Sequence, residues 1–373
     1  MKKIFLVFLL LITSSCSKKT YETDKPMDLD PMVQHSYEWA AVAPYEDGFF
    51  YVDQYFKLHY MENLEKDIYV NEMTFYDDVP VSQKDKADRY IDAYNMTDFF
   101  VYDQSIVYLT EYSNIKGEIK YELISMSLDG KTRKVMMEFP YQPYQFLIHR
   151  NTIITIEEIN EHQGTLHMYD LNGKELHAFE EDLKILDLFA DAERIYLTEE
   201  DYKTGECYIY CLHTEEDTIE KLMDNSVFVF ERNGLLSYYQ LNQLYKEGVD
   251  AKDVVTYAKI MNLETKEIVF EKDNEIVNYF DDTYIYCSNK GEEIRKYRIY
   301  DWNGNLVKEI VPSEHIDFPA LFFGLTTKDY SEIVRIIDGN IIAYTLHADT
   351  YEEKYIACEI ESGACRILGK SYE

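Results

Sequence analysis

The sequence predicts an all-β fold, a β-propeller of seven four-stranded blades, and three observations lead there. Strand-forming aromatics are abundant: 35 Tyr and 19 Phe against 2 Trp in 373 residues, within a 46% hydrophobic composition that can fill a core. A turn signal recurs seven times along the chain at near-regular spacing. The strand-like segments before it are mostly apolar on both faces. A one-layer sheet with a wet side would alternate apolar and polar residues, whereas blades stacked face to face bury both sides. Counts of six or eight blades stay open. Two packed β-domains of three or four repeats each are the rival architecture, but no Pro/Gly-rich linker divides the chain near its middle.

The turn signal is clearest at Leu128-Asp129-Gly130, Leu171-Asn172-Gly173 and Trp302-Asn303-Gly304. Asp-Gly and Asn-Gly between apolar runs are strong hairpin signals, and a two-residue turn with positive φ at both positions is expected there. Weaker copies stand at Leu64-Glu65, Leu212-His213, Leu263-Glu264 and Ile360-Glu361-Ser362-Gly363. Upstream of each lies a second strand, marked by Tyr51, Tyr108, Thr155, Tyr196, Tyr238, Tyr286 and Tyr344. In four copies the mark precedes the turn by 16 residues: 155 to 171, 196 to 212, 286 to 302 and 344 to 360. The next mark follows 23 to 27 residues later in four of six intervals: 128 to 155, 171 to 196, 212 to 238 and 263 to 286. The period is therefore about 41, within the range of four-stranded propeller blades.

The third strands carry Met61, Ser125, Met168, Ile209, Ile260, Ile299 and Ala357 three residues before the turn. One position on, facing the other way, lie Glu62, Met126, Tyr169, Tyr210, Met261, Tyr300 and Cys358. Insertions stretch the repeat near 73–97 and 311–330. In the first, Ala87, Tyr90, Ile91 and Tyr94 fall at helical spacing, and a short helix is expected. The copies lack the Gly-His…Trp-Asp pattern of WD40 blades and any kelch signature. Over about 37–370 they resemble the loosely patterned propellers of bacterial envelope proteins, which implies no role for any residue.

The N-terminus reads as an address. Lys2 and Lys3 precede the apolar run Ile4 to Ile12, then Thr13-Ser14-Ser15-Cys16, the layout of a signal peptide. The run is too short to span a bilayer stably. Ser14, Ser15 and Cys16 resemble the lipobox of bacterial lipoproteins, with Thr13 standing where Leu is usual. The resemblance implies cleavage after residue 15, lipid on Cys16, and an extracytoplasmic protein held at the cell membrane or outer membrane. Residues 16–36, polar and carrying Pro26 and Pro31, read as a tether, and 37–373 as the propeller. Losing Lys2 and Lys3 takes the net charge from −33 to −35, a field that argues against nucleic acid.

Five cysteines follow Cys16. Cys207 and Cys211 on one strand lie about 13 Å apart, too far to bridge. Cys358 and Cys365 flank a hairpin turn and could bridge across it, but with no zinc spacing present the cysteines read rather as buried apolar fillers.

No catalytic frame emerges. The chain lacks Gly-x-Ser-x-Gly, His-Glu-x-x-His, a zinc spacing of Cys and His, a calcium loop and a phosphate-binding glycine pattern, so no cofactor or metal is expected. His59 and His167 fall within strands, His213 at a turn, His162 and His347 in loops; each reads as structural. The acid pairs Asp77-Asp78, Glu181-Asp182, Glu199-Glu200-Asp201, Glu215-Glu216-Asp217 and Asp281-Asp282 could in principle serve glycoside chemistry. Among 70 acids, though, adjacent pairs are expected in solvated loops. Tyr141, Tyr144, Phe318, Phe322 and Phe323 lie between strands as candidate ligand platforms.

The expected function is that of a lipid-anchored, non-catalytic binding or scaffold protein with a protein or glycan partner. A carbohydrate-active hydrolase or lyase using carboxylates at the channel is the alternative. A subunit of an envelope assembly is the third reading, by fold analogy alone.

Overall fold

The computed structural model describes residues 42–368, apart from 47, 53–56, 73–74, 77–89, 93–98, 114–118, 161–162, 182–183, 191–193, 202, 205, 214–217, 242–255, 290–293, 317–329 and 348–351. Cys16 and the segments expected to be a signal peptide (1–15) and a tether (16–36) lie outside the described residues. Apart from a 3-10 turn at Pro312–Glu314, the described elements are strands. They form seven consecutive antiparallel sheets, each built on a four-strand meander, so the chain is a seven-bladed β-propeller.

Blade 1 is Val42–Tyr45, Gly48–Val52, Lys57–Glu62 and Lys66–Glu72; blade 2 is Phe99–Tyr102, Ser105–Ser113, Ile119–Ser127 and Arg133–Phe139. Blade 3 is Pro143–His149, Thr152–Asn160, Gln163–Asp170 and Glu175–Glu181; blade 4 is Lys184–Ala190, Ile195–Asp201, Glu206–His213 and Thr218–Asp224. Blade 5 is Ser226–Arg232, Leu235–Leu241, Thr256–Asn262 and Ile268–Asp273; blade 6 is Glu275–Phe280, Tyr284–Asn289, Tyr297–Asp301 and Leu306–Ile310. Blade 7 is Tyr330–Ile337, Asn340–His347, Glu352–Glu359 and Cys365–Leu368. His347 thus ends a strand rather than sitting in a loop, and His213 likewise closes one.

The helix expected over 87–94 is not what the described part of that insertion forms. Tyr90–Asp92 is a strand that pairs with Phe75–Tyr76 and with Glu111–Ser113 of blade 2. Helical spacing of four apolar residues gave way to an open strand edge, where Ser105–Ser113 runs past its partner Phe99–Tyr102 and offers backbone groups to pair. Ala87 and Tyr94 lie outside the described residues.

The core lies between blades rather than at one centre. Five apolar clusters fill the ring: Phe50 with Tyr108, Phe100 with Phe146 and Leu197, Phe189 with Phe228 and Val277, Tyr286 with Ile341, and Phe49 with Tyr344. Second strands are buried on both faces, as in Gly48–Val52 and the first five residues of Ile195–Asp201, whereas the outermost strands are mostly exposed.

The turns are arranged by type. In blades 2, 3, 5 and 7 the first and second strands join through two-residue turns with positive φ at both positions: Asp103-Gln104, Arg150-Asn151, Asn233-Gly234 and Asp338-Gly339. The Gly turns singled out from sequence are different. At Gly130, Gly173 and Gly304 only the glycine has positive φ (70°, 79° and 77°), and its N–H donates to the carbonyl three residues back. These are type I turns closed by a glycine bulge, which correct the expected two-residue form.

Asp170 and Asp301 open two of these turns. Each accepts backbone N–H bonds on one carboxylate oxygen, from Asn172 and Lys174 and from Asn303 and Asn305, at 2.8–2.9 Å. Those bonds, with the Asn305 side chain foremost at Asp301, hold both carboxyls below their ordinary 3.8. A depressed folded pKa means the turn's support is present above the unfolded value of about 4 and is lost as pH falls through the lower folded value. The amide resonances of Asn172 and Asn303 are therefore expected to hold steady down to about pH 4 and to shift below it. A transition centred above pH 4 would contradict the assignment.

Outer strands share a further feature that the repeat pattern hides. A bulge places one extra apolar residue in the fourth strand of blades 1–6: Val70, Met136, Leu176, Leu222, Val269 and Val307. First strands of blades 3–7 bulge likewise, at Tyr144, Leu186, Val229, Asn278 and Val334. Bulges add twist and blunt exposed edges against pairing with other chains.

Candidate functional site

A four-strand meander puts its 1–2 and 3–4 turns at one end and its 2–3 loops and blade-to-blade crossings at the other. The tight turns described above all belong to the first end. The strand ends that border 242–255 and 317–329 belong to the second, as does the added strand Tyr90–Asp92, so this end carries the insertions. Stretching of the repeat signalled two of them; the one at 242–255 was hidden in the long interval from Tyr238 to Leu263.

Of the aromatic set, the structure takes Tyr141 and Tyr144 into the scaffold. Tyr144 is the bulge residue of Pro143–His149 and packs against the core of blades 2–4. Tyr141 stacks on His167 with ring centroids 4.5 Å apart and shares hydrogen bonds with Thr155 and Tyr169. Burial pushes its phenol far above the ordinary 10, with the Thr155 bond opposing. Tyr141 thus lies between strands as expected but is held by scaffold residues, whereas Tyr144 lies within a strand rather than between strands. A short blade crossing at 140–142 leaves no room for a free loop. Phe318, Phe322 and Phe323 lie outside the described residues.

His167 is the centre of the most concentrated polar group. Its Nδ1 lies 2.8 Å from Glu175 Oε1 and its Nε2 3.1 Å from Glu157 Oε2. Only a doubly protonated ring donates to both; a neutral ring leaves one carboxylate unmatched. The imidazole fills the gap between the two acids, so no glycosidic oxygen can enter between them. In blade 1 the same third-strand position holds His59, 2.9 Å from Asp67 and stacked on Tyr51. These groups brace their blades.

The remaining acid pairs part company. Asp281 caps the blade 6 hairpin by accepting from the backbone N–H of Thr283 and Tyr284 and from the Tyr286 hydroxyl. Glu199 is fully buried, while Glu200 and Asp201 at the strand end are partly exposed. Asp77-Asp78 and Glu215-Glu216-Asp217 lie outside the described residues, as does Asp182. Among the described residues, no group of three or more His, Cys, Asp or Glu is placed to hold a metal ion.

Sequence reasoning missed one buried ion pair. Glu275 opens the first strand of blade 6, and its Oε1 accepts from Arg298 Nη1 at 2.7 Å and from the Tyr300 hydroxyl at 2.9 Å. The sequence separation of 23 between Glu275 and Arg298 hides the pairing; only the register of the meander brings them together.

No family model and no curated protein matches the chain. Solved structures do match in fold. Prolyl oligopeptidase B from Galerina marginata aligns with TM-score 0.53 and 9% identity, over 91% of this chain and 52% of that one. An acylaminoacyl peptidase aligns with TM-score 0.50 and 11% identity, over 89% and 52%. The chain thus spans about half the length of these two peptidases. BamB from Moraxella catarrhalis aligns with TM-score 0.41 and 13% identity, over 89% and 98%. At such identities the likeness is one of fold alone.

Proposed function

We propose that the chain is a lipid-anchored, extracytoplasmic binding or scaffold protein that engages a protein or glycan through the insertion-bearing end of its propeller. The observation that carries this reading is that the long connections spanning 73–98, 242–255 and 317–329 all belong to one end of the ring, opposite the tight turns. Binding residues gather on loops held by a rigid scaffold. Two further features support it: the lipobox-like Ser14-Ser15-Cys16, and a disulfide between Cys358 and Cys365, a bond that persists in oxidising compartments.

The anchor has its own test. In cells fed radiolabelled palmitate, the wild-type protein is expected to carry label and sediment with membranes. Cys16→Ala is expected to lose the label and leave the membrane fraction. Label retained in Cys16→Ala would rule out lipid on Cys16.

For the binding end, residues 17–373 are immobilised and screened against a glycan array and, by cross-linking, against envelope proteins. The expected result is a specific signal that disappears when 242–255 or 317–329 is shortened to a tight turn, with an unchanged melting temperature. A signal indifferent to both deletions, or turnover of a bound glycan, would overturn the proposal.

A further inference from the structure

Among the described residues no strand is shared between the first and last blades: blade 1 consists of residues from 42–72 and blade 7 of residues from 330–368. The described parts of these blades meet through side-chain packing of Phe49, Tyr51 and Met61 against Tyr344, Tyr355, Ala357 and Leu368. A hydrogen bond also joins the outer parts, from Arg366 Nη2 to the Leu64 carbonyl at 3.3 Å.

Two of these closing residues, Arg366 and Leu368, sit on the weakest outer strand in the ring. Cys365–Leu368 has 4 residues, where the other fourth strands have 5 to 7. It also lacks the bulge found in the other six. A strand this short makes few ladder bonds and frays readily. Yet this strand alone, among those described, is covalently tied: Cys365 pairs directly with Cys358 on the third strand, and the two are disulfide-bonded. Alternation along the strand explains the division of labour. Cys365 and Cys358 pack toward blade 6, and Arg366 and Leu368 face blade 1.

We propose that the Cys358–Cys365 disulfide is the clasp of the ring, and that its reduction loosens the seam between blades 7 and 1. Cys365 is the partly exposed member, so an incoming thiolate attacks its sulfur. A dithiol reductant supplies both electrons and both protons: the Cys358–Cys365 bond breaks, two thiols form, and the reductant leaves as a cyclic disulfide. The freed strand then holds Arg366 and Leu368 against blade 1 only by its own short ladder.

Hydrogen–deuterium exchange on residues 17–373, with and without dithiothreitol, tests this. Reduction is expected to speed exchange in 355–368 and in 42–62 on the order of fiftyfold, the loop-closure constraint removed, with 143–241 unchanged. The variant Cys358→Ala/Cys365→Ala, measured without reductant, is expected to reproduce the pattern and so excludes effects on Cys207, Cys211 and Cys287. Faster exchange confined to 355–368, with blade 1 unaffected, would overturn the clasp. So would unchanged exchange in both segments.

Discussion

Replacing Arg298 with alanine is expected to cost about 3–5 kcal/mol, because it strands the Glu275 carboxylate in a dry interface. The Glu275 side chain is 3% exposed, between blades 5 and 6. Its Oε2 has no hydrogen-bond partner among the described residues, so Oε1 carries the compensation through Arg298 and Tyr300. Arg298 is itself held by a second acid, Glu309, at 2.8 Å from its Nε. Removing the cation leaves two acids facing each other across one gap. The double replacement Glu275→Met/Arg298→Met removes the charges together and is expected to stay within about 1.5 kcal/mol of wild type, since a buried pair and a well-packed apolar substitute are often close in energy. Urea melts of the three proteins decide the matter. A loss below about 1 kcal/mol for Arg298→Ala would mean that water reaches the carboxylate.

Tyr355→Ala is expected to cost a similar 3–5 kcal/mol, through loss of a large buried ring at the seam. Tyr355 is 5% exposed and meets Tyr51 at 5.0 Å, Tyr344 at 5.5 Å and Phe49 at 6.2 Å between ring centroids. An aromatic cluster with three such contacts stabilises by more than its area alone. Among the described residues the seam has no shared strand, so the damage is expected in blades 1 and 7 together. Equilibrium melts give the size of the loss, and amide exchange gives its place. A loss below 1.5 kcal/mol, or one confined to blade 7, would show that packing does not close the ring.

How much of this was legible in the sequence depends on what kind of signal was read. Blade number and strand order were: each mark from Tyr51 to Tyr344 lies in a second strand, and the third strands end within two residues of all seven anchors. Apolar residues on both strand faces correctly signalled blades buried on both sides. The exact register was not. Tyr51 and Tyr108 face the preceding blade, against Tyr355 and Phe50, whereas Tyr196, Tyr286 and Tyr344 face the following one, against Phe228, Ile341 and Phe49. A slip of one residue turns a side chain to the other face of its sheet, so equal spacing in sequence did not mean equal place in the fold.

Turn chemistry shows the same limit. Asn172-Gly173 and Asn233-Gly234 share a dipeptide, yet the first closes a bulged type I turn and the second a turn with both residues at positive φ. The difference comes from the flanking register rather than from the pair itself. Asp170 supplies the only local hint, a carboxylate placed to accept the N–H groups of the longer turn. Bulges at Val70 through Val307 carry no sequence mark beyond being apolar. At the site level, Tyr141 looked like a free loop aromatic because His167 and Thr155, its partners, are brought to it only by pairing of strands 14 and more residues away.

The central claim is a closed ring of seven blades whose ends meet by packing. Pulsed electron paramagnetic resonance between spin labels on Glu65→Cys and Ile367→Cys, in a Cys207→Ser background, tests it most directly. Both sites are exposed, and they flank the Leu64–Arg366 contact between blades 1 and 7. A closed ring gives one narrow, short distance, whereas a long or broad distribution would mean that the first and last blades do not touch.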